Sequence, residues 1–271
     1  MPYSFVVLLE LIQSAGVVKV VTFLIVCPLV FLAGFVDSIA GGGGLISLPA
    51  YIMTGMPAHI AIGTNKLSSA MGTMISTLQF ARSGYMRLKL SCLSIVAALI
   101  GSFFGARLAL HISDFYFRII LAVILPMTAI YLMINKHSLS AVSLKIEKVV
   151  GKQLLYSVLI ALALGIYDGF YGPGTGTFLL LALTGLAKLP INLAAGTTKV
   201  INLTTNLTAL TVFLFSGKVM ILLGLTAGVF SILGNFIGAW YFKRGGAKIA
   251  RPIIIIVLVI FLVKLIYDFA V

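Results

Sequence analysis

Two stretches that combine an aspartate with several glycines interrupt an otherwise apolar chain, and they constrain its fold more than any other feature. The first, Gly34–Pro49, contains Asp37 and the four consecutive glycines Gly41–Gly44. The second, Gly165–Gly176, contains Asp168 and the sequence Gly-Pro-Gly-Thr-Gly. The two aspartates are separated by the same number of positions as the glycines that begin the two stretches. We therefore interpret the chain as two copies of one unit, each built around such a break.

The amino-acid composition indicates a membrane protein. The chain of 271 residues is 61% hydrophobic and only 9% charged, which is too little charge for a soluble protein of this size. Apolar runs of about 20 residues, the length that crosses a bilayer as a helix, recur along the chain. The alternating pattern of an outer-membrane barrel is absent from the sequence. We predict an all-α polytopic membrane protein with the lipid bilayer as its partner.

The apolar segments follow the same order in both halves. For the first half we predict a short interfacial helix at 3–13, followed by segments at Val17–Phe35, Leu45–Met56, His59–Ala81, Leu88–Leu110 and Phe115–Ile134. For the second half we predict Leu154–Phe170, Thr175–Ala187, Ile191–Phe215, Val219–Phe242 and Ile249–Phe269. The piece after each break is too short to span a bilayer, so we expect broken or re-entrant helices there. The result is two repeats of about five segments, 1–134 and 153–271, joined by a polar linker at 135–152.

Matching motifs support the repeat. Gly63–Lys66 reads Gly-Thr-Asn-Lys, and Gly196–Lys199 reads Gly-Thr-Thr-Lys at the equivalent place. Pro57 matches Pro190 at the same offset. A single chance match would carry little weight, but these matches share one register.

The distribution of basic residues predicts that the repeats are inverted. Loop 82–89 carries three basic residues and no acid, whereas its equivalent, 216–218, carries one basic residue. Lys and Arg mark cytoplasmic loops, so the net charge of +13 reflects topology and we expect no nucleic acid as a partner. We predict that 82–89, 135–152 and 243–251 are cytoplasmic, and that 216–218 and both chain termini are external. Inverted repeats with broken helices are common in secondary transporters, whose substrate binds where the breaks meet.

The acids at the breaks have two interpretations. The chain has only six acidic residues, and only Asp37 and Asp168 lie at the breaks. A carboxylate in a membrane is costly and normally faces a cavity or a partner. Each aspartate either has a structural role, accepting hydrogen bonds from backbone N–H groups or capping the next helix, or binds a proton or cation that couples transport.

The glycines of the breaks indicate an anion site. They allow positive φ and leave backbone N–H groups uncovered. The helix after each break begins with free N–H groups and a partial positive charge, which favours an anion. Close helix packing is the alternative, and we prefer it for the glycines on ordinary spans, Gly101, Gly105, Gly234 and Gly238. At the breaks we predict substrate binding by Gly43, Gly44, Gly174, Thr175 and Gly176.

Two lysines lie inside apolar segments, each at the end of a Gly-Thr-Asn-Lys or Gly-Thr-Thr-Lys motif. A cationic head among neutral donors, near two helix N-termini, suits a small anion. Few acids are available to neutralise these lysines, so we expect the anion to be their partner. Snorkelling of the lysines to the membrane interface is the alternative. The predicted substrate-binding residues here are Thr64, Asn65, Lys66, Ser69, Thr197, Thr198, Lys199, Asn202 and Asn206.

The sequence indicates neither catalysis nor metal binding. Cys27 and Cys92 lie in apolar segments, and we interpret both as buried hydrophobic residues. The sequence has no His/Cys cluster at metal-ligand spacing and no nucleophile–base pair. We therefore expect no catalytic residues, no metal, no cofactor and no enzymatic activity.

The combination of Gly34–Pro49, Gly63–Lys66, Gly172–Gly176 and Thr198–Lys199 resembles the sulfite exporter TauE/SafE family over nearly the whole chain. This resemblance implies an inner-membrane carrier for a small sulfur-containing or carboxylated anion. We expect a secondary transporter that moves sulfite, thiosulfate, a sulfonate or a similar organic acid by alternating access at a site between the repeats. An anion channel that uses the same lysines and helix ends is the alternative. Protons are the candidate coupling ion, and the sequence leaves a homo-oligomer open.

Overall fold

The computed structural model describes residues 3–113 and 151–242, with isolated helical positions between 115 and 127. Side chains are described from Val20 onward, apart from those of Ala40 and Leu88. The described part is all-helical and contains α1 Tyr3–Ala40, α2 Gly44–Ile52, α3 Ala58–Arg82, α4 Leu88–His111, α5 Gly151–Phe170, α6 Thr175–Gly185, α7 Ile191–Phe215 and α8 Ile221–Phe242. The segment predicted at Phe115–Ile134, apart from those isolated positions, the segment predicted at Ile249–Phe269 and most of the linker between the halves lie outside the described residues.

Most predicted segments coincide with helices to within a few residues, and the differences have local causes. The interfacial helix predicted at 3–13 is instead continuous with the next segment in α1, because no proline separates the two. Helix α2 ends at Ile52, before the predicted Met56, because Gly55 turns the chain with φ of +83°. Cys27 is buried as expected, but Cys92 is exposed, so its predicted burial is wrong.

Within the part of the chain that the structure describes, four helices are long and apolar enough to cross a membrane. Their candidate spans are Val20–Ile39, Lys89–His111, Gly151–Phe170 and Ile221–Phe242. Large apolar side chains project from these helices; Leu24 is 68% exposed and Phe104 is 62% exposed. Extensive apolar surface of this kind is typical of a face that contacts lipid. The chain is therefore a helical membrane protein with α1, α4, α5 and α8 on its outside.

Helices α3 and α7 lie at the centre of the described structure, and many of their buried side chains are polar. Helix α3 packs against α7 and α8, and α7 packs against α3 and α4. The buried polar residues on these two helices include Thr64, Asn65, Lys66, Ser68, Thr73, Ser76, Thr197, Thr198, Lys199, Asn202, Thr205 and Asn206. Buried polar groups require partners or a hydrated cavity, so the function of the chain is to be sought between these helices.

The outer helices pack in equivalent pairs through glycine. Helix α4 contacts α5 where Gly101 and Gly105 lie against the backbone carbonyls of Leu162 and Ile166. Helix α1 contacts α8 in the same way, at Gly234 and Gly238. A Cβ at any of these glycines would overlap the neighbouring backbone. The packing role predicted for these four glycines is thus confirmed.

Helices α3 and α7 run antiparallel. Gly63, near the start of α3, lies against the carbonyl of Lys218, just after the end of α7. Gly196, near the start of α7, lies against the carbonyl of Tyr85, just after the end of α3. The loop that follows α3 and the loop that follows α7 therefore lie at opposite ends of this pair of helices.

Candidate anion-binding site

The two glycine-rich breaks contact each other at the centre of the molecule. Gly41, with φ of +71°, lies directly against the backbone of Gly176, and a Cβ on Gly41 would overlap it. A Cβ on Gly44 would lie 3.0 Å from Cα of Pro173. The absence of side chains lets the starts of α2 and α6 approach this closely.

The start of α2 already holds a carboxylate of the protein. The backbone N–H of Gly43 donates to Asp37 Oδ1 over 3.4 Å. This contact supports the structural interpretation of Asp37, in which the carboxylate accepts a hydrogen bond from an N–H group that the break leaves free. It also illustrates the preference of a helix N-terminus for negative charge.

A cavity lies between the breaks and the central helices. Its volume is about 40 Å³, taken as the space open to the centre of a water-sized sphere. Its polar lining is Asp37, Ser47, Asn65, Lys66, Ser69, Thr73, Asp168, Thr175, Asn202, Asn206, Ser231 and Asn235. The rest of the lining is Val30, Ala33, Gly34, Gly42, Gly43, Gly44, Gly172, Gly174 and Gly176. The cavity is thus small, strongly polar and formed by both halves of the chain.

Two buried ion pairs cross between the halves. Nζ of Lys66, on α3, lies 3.1 Å from Oδ2 of Asp168, on α5. Nζ of Lys199, on α7, lies 2.7 Å from Oδ2 of Asp37, on α1. Both lysines are buried, so they do not snorkel to an interface. The sequence offers few acids to neutralise these lysines and does not by itself identify these pairs, in which each lysine meets the aspartate of the other half of the chain.

The two pairs differ in how tightly they are held. The ammonium of Lys199 donates to both the carboxylate and the backbone carbonyl of Asp37. The contact between Lys66 and Asp168 is not aligned as a hydrogen bond, and Asp168 Oδ2 is buried with no hydrogen-bond partner. Lys66 lines the cavity, whereas Lys199 lines a separate space of about 10 Å³. The Lys66 pair is therefore the more loosely held of the two, and both of its members line the cavity.

The structure brings most of the predicted binding residues to the cavity. The exceptions are Thr64, Thr197, Thr198 and Lys199, which are absent from its lining. Thr64 Oγ1 accepts the Met220 N–H over 3.0 Å, and Thr197 donates to the Leu193 carbonyl over 2.7 Å. The Thr64 hydroxyl thus connects α3 to the residue just before α8, whereas the Thr197 hydroxyl bonds within α7. Thr198 lines the same small space as Lys199.

The part of the cavity lining that α8 contributes, Ser231 and Asn235, was not identified from the sequence. Asn235 Nδ2 donates to the carbonyl of Ser231 over 3.0 Å, and its Oδ1 accepts from Ser38 over 2.8 Å. Asn235 thereby connects α8 to the end of α1, next to Asp37. The available signal was a polar amide within an apolar span, which is costly in a membrane.

Comparison with known proteins identifies the family. A family model described as "Sulfite exporter TauE/SafE" matches residues 26–265. The chain belongs to this family. Its sequence is 35% identical over 238 residues to "Probable membrane transporter protein ORF9" of Sinorhizobium sp, covering 88% of this chain and 90% of that protein. It is 34% identical over 242 residues to "Probable membrane transporter protein" of Haemophilus influenzae, covering 88% and 92%.

A third TauE/SafE relative gives the same result. "Probable membrane transporter protein YfcA" of Escherichia coli K12 is 33% identical over 241 residues, covering 88% of this chain and 87% of that protein. No solved structure matches the chain. Family membership and the apolar helices make the chain a membrane transporter.

The chemistry of the cavity in this TauE/SafE protein is that of a small polar binding site. One ammonium, two carboxylates and several amides and hydroxyls face a space of a few water molecules. Within residues 3–113 and 151–242, no group of three or more His, Cys, Asp or Glu side chains lies together to hold a metal ion. Lys66 supplies the ammonium in the lining of this cavity, and Asp168, also in the lining, is its ion-pair partner.

Proposed function

We propose that the protein is a secondary transporter that carries a small anion across the inner membrane by alternating access at the cavity between the two repeats. The proposed substrate is a sulfur-containing anion, such as sulfite, thiosulfate, a sulfonate or a similar organic acid. One observation carries the proposal: the buried ammonium of Lys66 lines a polar cavity at the point where the two breaks meet.

The volume of the cavity favours a small substrate. A water molecule needs about 10–15 Å³ of such volume, so 40 Å³ holds roughly three. A compact oxyanion is of this size, whereas a longer organic acid requires the cavity to widen. Amide and hydroxyl groups of Asn65, Ser69 and Asn206 supply hydrogen-bond donors without adding charge.

Inverted repeats give this site a route to both sides of the membrane. We propose that 1–134 and 153–271 are the repeats, that the linker 135–152 is cytoplasmic, and that both termini are external. The antiparallel course of α3 and α7 supports this arrangement, because equivalent helices then enter the bilayer from opposite sides. The difference between the two ion pairs supports alternating access, since equivalent residues have different environments in one conformation.

Protons are the proposed coupling ion, with Asp37 or Asp168 as the group that binds them. The cavity is formed within one chain, so this scheme does not require a second copy. A homo-oligomer, in which each chain has its own cavity, is compatible with it. An anion channel is the alternative function. It would pass anions down their gradient through the same residues, without exchange.

The first experiment is a binding screen of purified protein with sulfite, thiosulfate, sulfoacetate, taurine and simple carboxylates. Anions that bind are then tested for counterflow in proteoliposomes, where unlabelled anion inside drives uptake of labelled anion. Counterflow requires a carrier, so its absence alongside rapid downhill flux would favour the channel. If none of these anions binds and none is transported, the proposal is refuted.

A pair of variants tests the role of Lys66. A charge-assisted hydrogen bond contributes about 1.5–3 kcal/mol, so Lys66→Met should weaken anion binding roughly ten- to a hundredfold. Lys218→Met is the matched control, because Lys218 is an exposed lysine that does not line the cavity. Equal anion affinity in the two variants would remove Lys66 from the site.

A further inference from the structure

We propose that Asp168 is the coupling residue: its carboxylate takes the place of the substrate on Lys66, and it must bind a proton before an anion can replace it. Asp37, by contrast, is a structural partner of Lys199. This inference rests on the proposed function, because it concerns how the same cavity exchanges its anion.

The charges of the cavity lead to this conclusion. Lys66, Lys199, Asp37 and Asp168 form two pairs with no net charge. A monoanion that entered this neutral, buried cluster alone would leave one uncompensated negative charge away from water, which is strongly unfavourable. A proton taken from the solvent by one carboxylate restores neutrality. The ammonium released by that carboxylate can then bind the anion.

The contacts distinguish the two carboxylates. Asp37 is held by the Lys199 ammonium at its carboxylate and at its carbonyl, and by the Gly43 N–H. These donors hold the carboxylate of Asp37 in place at the start of α2. Asp168 Oδ2 has only the unaligned contact with Lys66. Protonation of Asp168 therefore breaks the fewest interactions.

The cavity also contains an unsatisfied acceptor. Asn202 is 5% exposed and lines the cavity, and its Oδ1 has no hydrogen-bond partner in the described structure. Buried amide oxygens are normally paired. A protonated carboxyl, a water molecule or a ligand that carries an O–H group would supply the missing donor. The cavity therefore offers a hydrogen-bond acceptor, Asn202 Oδ1, as well as the ammonium of Lys66.

Few other ionisable groups act on Asp168. Helix α3 contributes Lys66, α1 contributes Asp37, and α7 contributes Lys199, which is held by Asp37. Helix α6 has no ionisable side chain. The ionisable residues of the neighbouring helix α4 are all exposed: Lys89, Cys92, Arg107 and His111. On α5 itself, Lys152 and Tyr156 are exposed, and Tyr167 donates to the Pro173 carbonyl over 2.7 Å. Tyr171 lies just beyond the end of α5.

The test uses proteoliposomes and two anions of constant charge near neutral pH: methanesulfonate, which is singly charged, and thiosulfate, which is doubly charged. Wild-type protein should accumulate methanesulfonate up to about tenfold for each unit of pH difference, at one proton per anion. Methanesulfonate accumulation should not respond to a potassium diffusion potential set with valinomycin. Thiosulfate still leaves one negative charge uncompensated when one proton is bound, so its uptake should be weaker than that of methanesulfonate and should respond to the potential.

The variants separate the two aspartates. In Asp168→Asn, counterflow of methanesulfonate should persist with tighter, pH-independent binding, while accumulation driven by the pH gradient is lost. Asp168→Glu should retain accumulation, which controls for a folding defect. Asp37→Asn is the matched control and should lower counterflow and accumulation together, because it loosens Lys199 without removing the coupling group.

The outcomes distinguish the assignment of Asp168, proton coupling and the proposed transport function from one another. Accumulation that survives in Asp168→Asn, or that disappears only in Asp37→Asn, overturns the assignment. Wild-type counterflow that no pH gradient can drive overturns proton coupling while leaving the transporter intact. If neither anion exchanges in wild-type protein while the binding screen is also negative, the proposed function fails and this inference fails with it.

Discussion

Removing Lys66 should destabilise the protein as well as weaken anion binding, and the two effects can be separated. The side chains of Lys66 and Asp168 are 2% and 6% exposed, so Lys66→Met leaves a buried carboxylate without its close cationic partner. Breaking a buried ion pair from one side costs about 3–5 kcal/mol. The double variant Lys66→Met/Asp168→Asn leaves no unpaired charge, so its stability should return to within about 1 kcal/mol of wild type.

The equivalent change in the other repeat provides an internal comparison. The side chain of Asp37 is 17% exposed and keeps the Gly43 N–H, so water and the helix end can partly compensate for the loss of Lys199. Lys199→Met should therefore cost about 2 kcal/mol, less than Lys66→Met. The order of stability expected is wild type, then the double variant, then Lys199→Met, then Lys66→Met.

The assay is thermal unfolding of purified protein in detergent, measured by fluorescence and repeated with anion present. Anion should raise the melting temperature of wild type and leave that of both Lys66 variants unchanged, because a ligand stabilises only the folded state that binds it. Two results would refute the reasoning. One is a double variant no more stable than Lys66→Met, which would show that the unpaired carboxylate is not the cause. The other is anion stabilisation of the double variant equal to that of wild type.

Two further predictions concern the break and the topology. Gly41→Ala should destabilise the folded protein by about 2 kcal/mol or more and abolish transport, because it forces an alanine into a left-handed conformation against Gly176. Gly185→Ala is the control, because a Cβ at Gly185 meets nothing within 4 Å. Equal melting temperatures for the two variants would contradict the packing argument. In a cysteine-free background, Ser83→Cys should react with an impermeant reagent only from the cytoplasmic side and Ser216→Cys only from outside; labelling of both from one side would rule out inverted repeats.

The secondary structure could be read from the sequence because it depends on local features. The bounds of α7 match the prediction Ile191–Phe215, since a proline precedes this helix and a Ser-Gly turn follows it. Gly41 and Gly174 were expected to allow positive φ, and both do. Bilayer thickness fixes the length of the spans, so the membrane class also followed from the apolar runs. The shared motifs likewise placed the chain in its family.

The partners of the lysines depend on tertiary structure. Lys66 and Asp168, and Lys199 and Asp37, lie in different halves, and no local pattern states which face of α3 meets α5. Asn65 and Thr198 occupy equivalent positions in the repeat, yet only Asn65 lines the cavity. Two nearly equivalent sequences acquired different environments because the helices are packed in a single conformation, and that packing decides which lysine faces the cavity. The sequence specifies which groups carry charge, whereas the positions of α3 relative to α5, and of α7 relative to α1, determine which charges neutralise each other.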